Sequence, residues 1–261
     1  AVQGPKSKDI LKTLAGGGEL TAENVKNSLG TLTMEGKPVR VAKTGYTGEP
    51  IGYELYCDSA DAVYFWNRLV ELGARPTGLG ARDTLRMEAA LPLYGHEMGP
   101  CQLGGEIQAY ASPLAKFAVS FNADKGDFVG REPLRKQFEA LKKILNRDWS
   151  SNADLPYRIY PICLLGRGVL RAGFPVYDAR TGEELGYVTS GTMIPYFETE
   201  GAGIESAITD RTAKRSIGLA YLKSHVVTEF EVEVDIRGKR VPAVITACHM
   251  RQDAPPYTRP I

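Results

Sequence analysis

Arg82 and Arg86 lie four residues apart in Gly78-Leu79-Gly80-Ala81-Arg82-Asp83-Thr84-Leu85-Arg86-Met87-Glu88-Ala89. On a helix their guanidiniums are neighbours, and like charges at that spacing oppose each other. Something acidic must offset them: Asp83, Glu88, the more distant Glu54, or a ligand. A surface ion-pair network is the plainer of these readings, because such pairs are common and weak. Glu54 stands in Ile51-Gly52-Tyr53-Glu54-Leu55-Tyr56-Cys57. A period of two puts Ile51, Tyr53, Leu55 and Cys57 on one strand face and Gly52, Glu54 and Tyr56 on the other. The pattern therefore sets a carboxylate opposite the face that must be buried.

Two strands and a helix must position these groups. Val39 and Val41 alternate with Arg40 and Ala42, which predicts a strand over 38–44. Gly45, Gly48, Pro50 and Gly52 interrupt it as a turn requires, and a strand over 51–57 completes a hairpin. Ser59 is placed to cap a helix whose Val63, Trp66, Leu69 and Val70 form the stripe to be buried, with Gly73 ending it. Gly78 and Gly80 then lead into a helix striped by Ala81, Leu85 and Ala89. Ahead of the hairpin, Pro5 opens a helix to Leu14, Gly16-Gly17-Gly18 ends it, and Thr21 caps a short helix to Ser28. The triple glycine is not followed by the Gly-Lys-Ser/Thr of a phosphate loop. Gly78-x-Gly80 lacks the third glycine of a dinucleotide fingerprint, since Asp83 holds its place.

Further on, 100–113 reads as an irregular connection and 114–121 as a helix or a buried strand. A polar turn at 124–131 precedes a helix over 132–145. Polar residues 146–156 mark the expected domain boundary. Beyond it the pattern turns to short strands at 158–165, 174–178, 184–190, 215–222, 229–236 and 240–247, with a hairpin turn at Arg237-Gly238-Lys239. Strands at this spacing predict a small antiparallel barrel or sandwich. Residues 198–214 read as a long mobile loop.

Composition narrows the classes. The 261 residues carry a net charge of +1, so no basic field points to nucleic acid. Hydrophobic content of 43% with 24% charged residues is that of an ordinary globular chain, and no apolar run is long enough to cross a bilayer. Four dispersed cysteines and three histidines give no zinc spacing, and no metal site is expected. Cys57 and Cys163 lie in apolar strand patterns, which predicts reduced, buried thiols.

Taken together, Thr44-Gly45-Tyr46-Thr47-Gly48-Glu49, Glu54, the 78–89 string and Leu93-Tyr94-Gly95-His96-Glu97 resemble the aminomethyltransferase (T-protein) family of the glycine cleavage system. Gln3-Gly4-Pro5-Lys6, Val129-Gly130-Arg131-Glu132, Arg171-Ala172-Gly173 and Val188-Thr189-Ser190-Gly191-Thr192 extend the resemblance across essentially the whole chain. It implies an α+β fold: the remainder of a folate-binding aminomethyltransferase domain over 1–150, then a C-terminal β-barrel domain over 151–261. It also implies the last two-thirds of such an enzyme, because the Gln-Gly-Pro motif lies well inside the family's proteins.

The implied reaction transfers a one-carbon unit from the aminomethyl-lipoyl arm of the H-protein to tetrahydrofolate, releasing ammonia. A pterin needs a carboxylate for its N–H donors, aromatic cover, and a cation for its glutamate tail. Glu54, Tyr46 and Arg82 match the family positions for these roles, and Tyr257 or Arg259 falls where the family's tail approaches the folate. The family's catalytic aspartate has no match in this chain, so the catalytic residue is unassigned and transferase activity of the chain alone is doubtful. Asp83 is expected to hold Arg82 or Arg86. The resemblance further implies a monomer that binds the lipoyl-bearing H-protein, in a bacterial cytoplasm or a mitochondrial matrix. The rivals are a folate-dependent demethylase or related methyltransferase, and a non-catalytic folate-binding module.

Overall fold

The computed structural model describes residues 1–17, 20, 27–201 and 207–247. These divide into two compact units, 1–86 and 87–261, and each is described by itself.

The first unit is built on an antiparallel sheet of order β1-β4-β3-β2, with β1 Val2–Gln3, β2 Leu29–Met34, β3 Lys37–Ala42 and β4 Gly52–Tyr56. The period-two reading of the hairpin holds: β3 and β4 pair Arg40 with Tyr56, Val41 with Leu55 and Ala42 with Glu54. Val39, Val41 and Tyr53 are buried on one face, and Tyr56 on the other is exposed. Helices α1 (Ser7–Leu14) and α2 (Ala62–Glu71) bring Leu11, Leu14 and Phe65 to the buried face. The helix expected over Thr21–Ser28 falls mostly outside the described residues.

Three local expectations are corrected. Strand β2 was not anticipated. It joins β3 through Glu35 and Gly36, both at positive φ (49° and 80°), the two-residue turn that suits hairpin twist. The capping side chain is Asp58 rather than Ser59: its carboxylate accepts from the Ala60 N–H at 2.9 Å and caps the 3-10 turn Ser59–Asp61 that leads into α2. The helix itself turns Phe65, Leu69 and Leu72 to the core. Val63 and Trp66, expected to be buried, are 71% and 56% exposed. Its end is as expected: the N–H of Ala74 bonds to Leu69 O past Gly73 at φ 95°, a left-handed C-terminal cap.

The helix α3 (Leu79–Glu88) forms where expected. Its Ala81–Leu85–Ala89 stripe is not the buried one: Ala81 is exposed, whereas Arg86 is buried within the helix and Met87 and Glu88 are buried at its end.

The second unit begins at Met87, so the division does not fall at 146–156. The physical reason is a shared core. Met87 packs with Cys163, Ile194 and Ile217, and Ile107 and Ala111 pack with Ile159, Leu219 and Tyr221. The 87–156 segment carries a short pair β5 (Gly99–Pro100) and β6 (Glu106–Ile107), a single-turn α4 (Ala115–Ala118), and α5 (Arg131–Leu145). Leu155, inside the expected boundary, is buried with Tyr110, Ala140, Leu141 and Ile144.

The remaining strands are β7 (Tyr157–Leu164), β8 (Pro175–Asp178), β9 (Glu184–Glu200), β10 (Ala207–Lys223), β11 (Glu231–Ile236) and β12 (Lys239–Ile245). Their pairings run β10-β7-β12-β11-β8-β9 and return to β10, closing a barrel. Every pairing is antiparallel. Ile162, Leu164, Val188, Leu222 and Val234 fill its interior. Arg237 and Gly238, at φ 56° and 86°, turn β11 into β12 as the sequence pattern predicts. Residues 198–200 and 207–214 are not loop but strand, because β9 and β10 run on past the barrel as a ribbon. Arg211 spans it, donating to Glu198 and Glu200 at 2.9 Å each. Among the described residues no helix is long and apolar enough to cross a membrane.

Candidate functional site

Glu54 stands on the half-exposed face of β4, in the last pair of the β3–β4 ladder, opposite Ala42. One of its carboxylate oxygens accepts a hydrogen bond from the hydroxyl of Thr44, which faces it across the hairpin. The carboxylate is thus held in one orientation rather than swinging in solvent.

What fixes Thr44 is a side chain from far away in sequence. Gln3 Nε2 donates to the carbonyl of Thr44 at 3.1 Å and to the carbonyl of Tyr53 at 3.3 Å, and its Oε1 accepts from Thr47 Oγ1 at 3.1 Å. One amide therefore ties together both arms of the hairpin next to Glu54. It fits there because Gly45 and Gly52 have no side chain: a Cβ on either would overlap the Gln3 amide. Two glycines that read only as turn punctuation are the walls of a slot.

Tyr46 lies half-buried in the connection between β3 and β4. Asp83 takes one of the two arginines, as expected: Arg86, 1% exposed, places Nε and Nη2 each 2.7 Å from Asp83 Oδ1. The other, Arg82, is exposed on α3, and among the described residues no carboxylate pairs with it. No hydrogen bond or ion pair joins it to Glu54. The helix thus carries one neutralised and one open guanidinium. Tyr257 and Arg259 lie outside the described residues.

Sequence reading missed Gln3 and Thr44 as working parts, treating each only as a letter in a motif. It also missed Glu97, 1% exposed, at the end of the Leu93-Tyr94-Gly95-His96-Glu97 string. In the second unit this carboxylate accepts from Thr189 Oγ1 at 2.6 Å, Ser190 Oγ at 2.5 Å and the Leu93 N–H at 2.9 Å. His96 Nδ1 lies 3.3 Å from the Thr189 carbonyl. The string and the Val188–Thr192 motif are therefore two sides of one contact. Among the described residues no group of His, Cys, Asp or Glu gathers as a metal site.

Residues 1–107 match the family model of the GCVT N-terminal domain. Across 94% of its length the chain is 37% identical to an aminomethyltransferase of Bacillus mycoides over 254 residues. Against an aminomethyltransferase of Bacillus cytotoxicus it is 38% identical over 252 residues. The chain spans 57% of the length of these curated relatives. Among solved structures, the glycine cleavage system aminomethyltransferase T of Bartonella henselae matches with a TM-score of 0.57 and 23% identity, over 94% of this chain and 57% of that one. At that identity the structural match speaks for the fold: mixed helices and strands in the same arrangement of chain. Residues 1–107 thus match the GCVT N-terminal domain model, and over most of its length the chain is similar in sequence to proteins named aminomethyltransferase.

Proposed function

We propose that this chain carries the folate-binding part of a tetrahydrofolate-dependent aminomethyltransferase. The observation that carries the reading is the Glu54 carboxylate, oriented by Thr44 on a half-exposed strand face of the matched domain. Such a carboxylate suits a flat heterocycle that presents adjacent N–H donors, as the amino group and ring nitrogen of a reduced pterin do. Arg82, open and cationic, suits the carboxylates of the glutamate tail, and Tyr46 supplies aromatic surface. Tyr257 and Arg259 join the same proposal as further folate contacts.

In this reading the residues bind and orient, and tetrahydrofolate supplies the nitrogens that accept the one-carbon unit. The donor is the aminomethyl-lipoyl arm of an H-protein, and ammonia is released. No described side chain is assigned the catalytic role. The chain's own contribution is to hold the acceptor at one end by Glu54 and at the other by Arg82, so that its reacting face has one pose.

Calorimetric titration of the chain with tetrahydrofolate tests this. Glu54→Gln should weaken binding by about 10–100-fold, the weight of a hydrogen bond to a charged group. Arg82→Ala should weaken binding most for ligands that carry a glutamate tail. Unchanged affinity in Glu54→Gln overturns the reading, and unchanged affinity in Arg82→Ala removes the role given to Arg82.

A further inference from the structure

Thr44 and Gln3 sit beside Glu54, and neither belongs to the buried apolar core of the first unit. The Thr44 hydroxyl has a single proton and gives it to Glu54. The Gln3 amide spends its donors on the carbonyls of Thr44 and Tyr53, the residues that flank the carboxylate in space and in sequence. Thr47 closes the cluster on Gln3 Oε1, and Gly45 and Gly52 make the slot that admits the amide. A polar side chain reaching across 41 and 50 residues to bond main-chain carbonyls fixes the backbone where the β3–β4 ladder has ended.

We infer that Thr44 is a positioning residue for Glu54, and that Gln3 sets the backbone from which Thr44 acts. The inference rests on the pterin reading above and deepens it. With one carboxylate oxygen engaged by Thr44, the other points a fixed lone pair at the ligand's donors. A carboxylate that must be oriented on binding gives up part of its affinity to that ordering.

The test is a double-mutant cycle on the full chain, read by calorimetry with tetrahydrofolate and by thermal unfolding. Thr44→Val keeps the shape and removes the proton, so binding should weaken about tenfold with little change in Tm. Thr44→Ser should restore binding to within about twofold, because the hydroxyl is back. In Glu54→Gln, adding Thr44→Val should cost nothing further, since Thr44 acts through the carboxylate. Gln3→Leu should weaken binding in the wild-type background and not in Glu54→Gln.

Additive losses, or a Thr44→Val variant that binds as the wild type does, overturn the inference while leaving Glu54 in place. Wild-type protein that fails to bind tetrahydrofolate, or a Glu54→Gln variant that binds normally, overturns the pterin reading itself.

Discussion

Glu97 Oε1 accepts a hydrogen bond from Ser190 Oγ at 2.5 Å, joining a loop that follows α3 to the middle of β9. The same carboxylate takes the Thr189 hydroxyl and the Leu93 N–H, so several donors converge on one buried carboxylate. Glu97→Ala removes that acceptor and should destabilise the chain by about 2–3 kcal/mol, the cost of losing charge-assisted bonds out of solvent. Ser190→Ala removes one of these donors and should cost less. Urea unfolding midpoints of the two variants would check the ordering, and an unchanged midpoint for Glu97→Ala would contradict it.

Two glycines of the barrel lie directly against neighbouring backbone. A Cβ on Gly191 would run into the Leu170 carbonyl, and one on Gly218 into the Ser190 carbonyl. Backbone atoms cannot swing aside as a long side chain can. Alanine at either position should therefore cost about 1–3 kcal/mol. Gly80 is the opposite case: it lies inside α3 with no atom within 4 Å of the place a Cβ would take. There alanine should stabilise by about 0.5–1 kcal/mol through helix propensity. Thermal unfolding of Gly191→Ala, Gly218→Ala and Gly80→Ala should shift in these opposite directions.

How far the sequence carried these sites depends on how local each cause is. The β3–β4 hairpin was legible because Val39, Val41, Tyr53 and Leu55 recur at a period of two, and the structure pairs Val41 with Leu55 on that face. Helix α2 was legible as a helix but not in its orientation: of the expected stripe Val63, Trp66, Leu69 and Val70 only Leu69 packs on the core, beside Phe65 and Leu72, and periodicity alone does not rank the two faces. The 198–214 segment read as loop because it is polar. A two-stranded ribbon outside a barrel buries little, so its strands carry charges such as Arg211 and Glu198 without penalty. The Gln3 slot had no local signature, since its parts are drawn together from positions 3, 45 and 52.

Cys163 should be chemically silent in the folded protein. It is 1% exposed beside Met87, Ile194 and Ile217, and burial pushes its thiol up to about 11, Arg215 opposing weakly. Only the thiolate is a nucleophile, so at pH 8 both access and ionisation are denied. Alkylation with iodoacetamide, mapped by peptide mass spectrometry, should leave Cys163 unmodified in native protein and label it fully in urea. Labelling in the native state would show that this core opens.

Glu35 anchors a surface linkage in the first unit, and it predicts an acid response. Its carboxylate accepts from Arg68 Nη2 at 2.7 Å and from the Tyr64 hydroxyl at 2.7 Å, tying the β2–β3 turn to α2. The Arg68 hydrogen bonds first, and Tyr64 second, hold its pKa at about 2 against an ordinary 4.5. A carboxyl whose pKa is depressed on folding binds fewer protons in the native state, so its contribution is fully present above 4.5 and disappears as pH falls through about 2. Wild type should therefore be more stable than Glu35→Gln at neutral pH. The gap should narrow between pH 4.5 and 2 and close below that range. Salt should shrink it at neutral pH, because the pair is partly exposed. Tm measured against pH for both proteins checks this, and parallel curves down to pH 2 would mean that the Arg68 pair contributes nothing to folding.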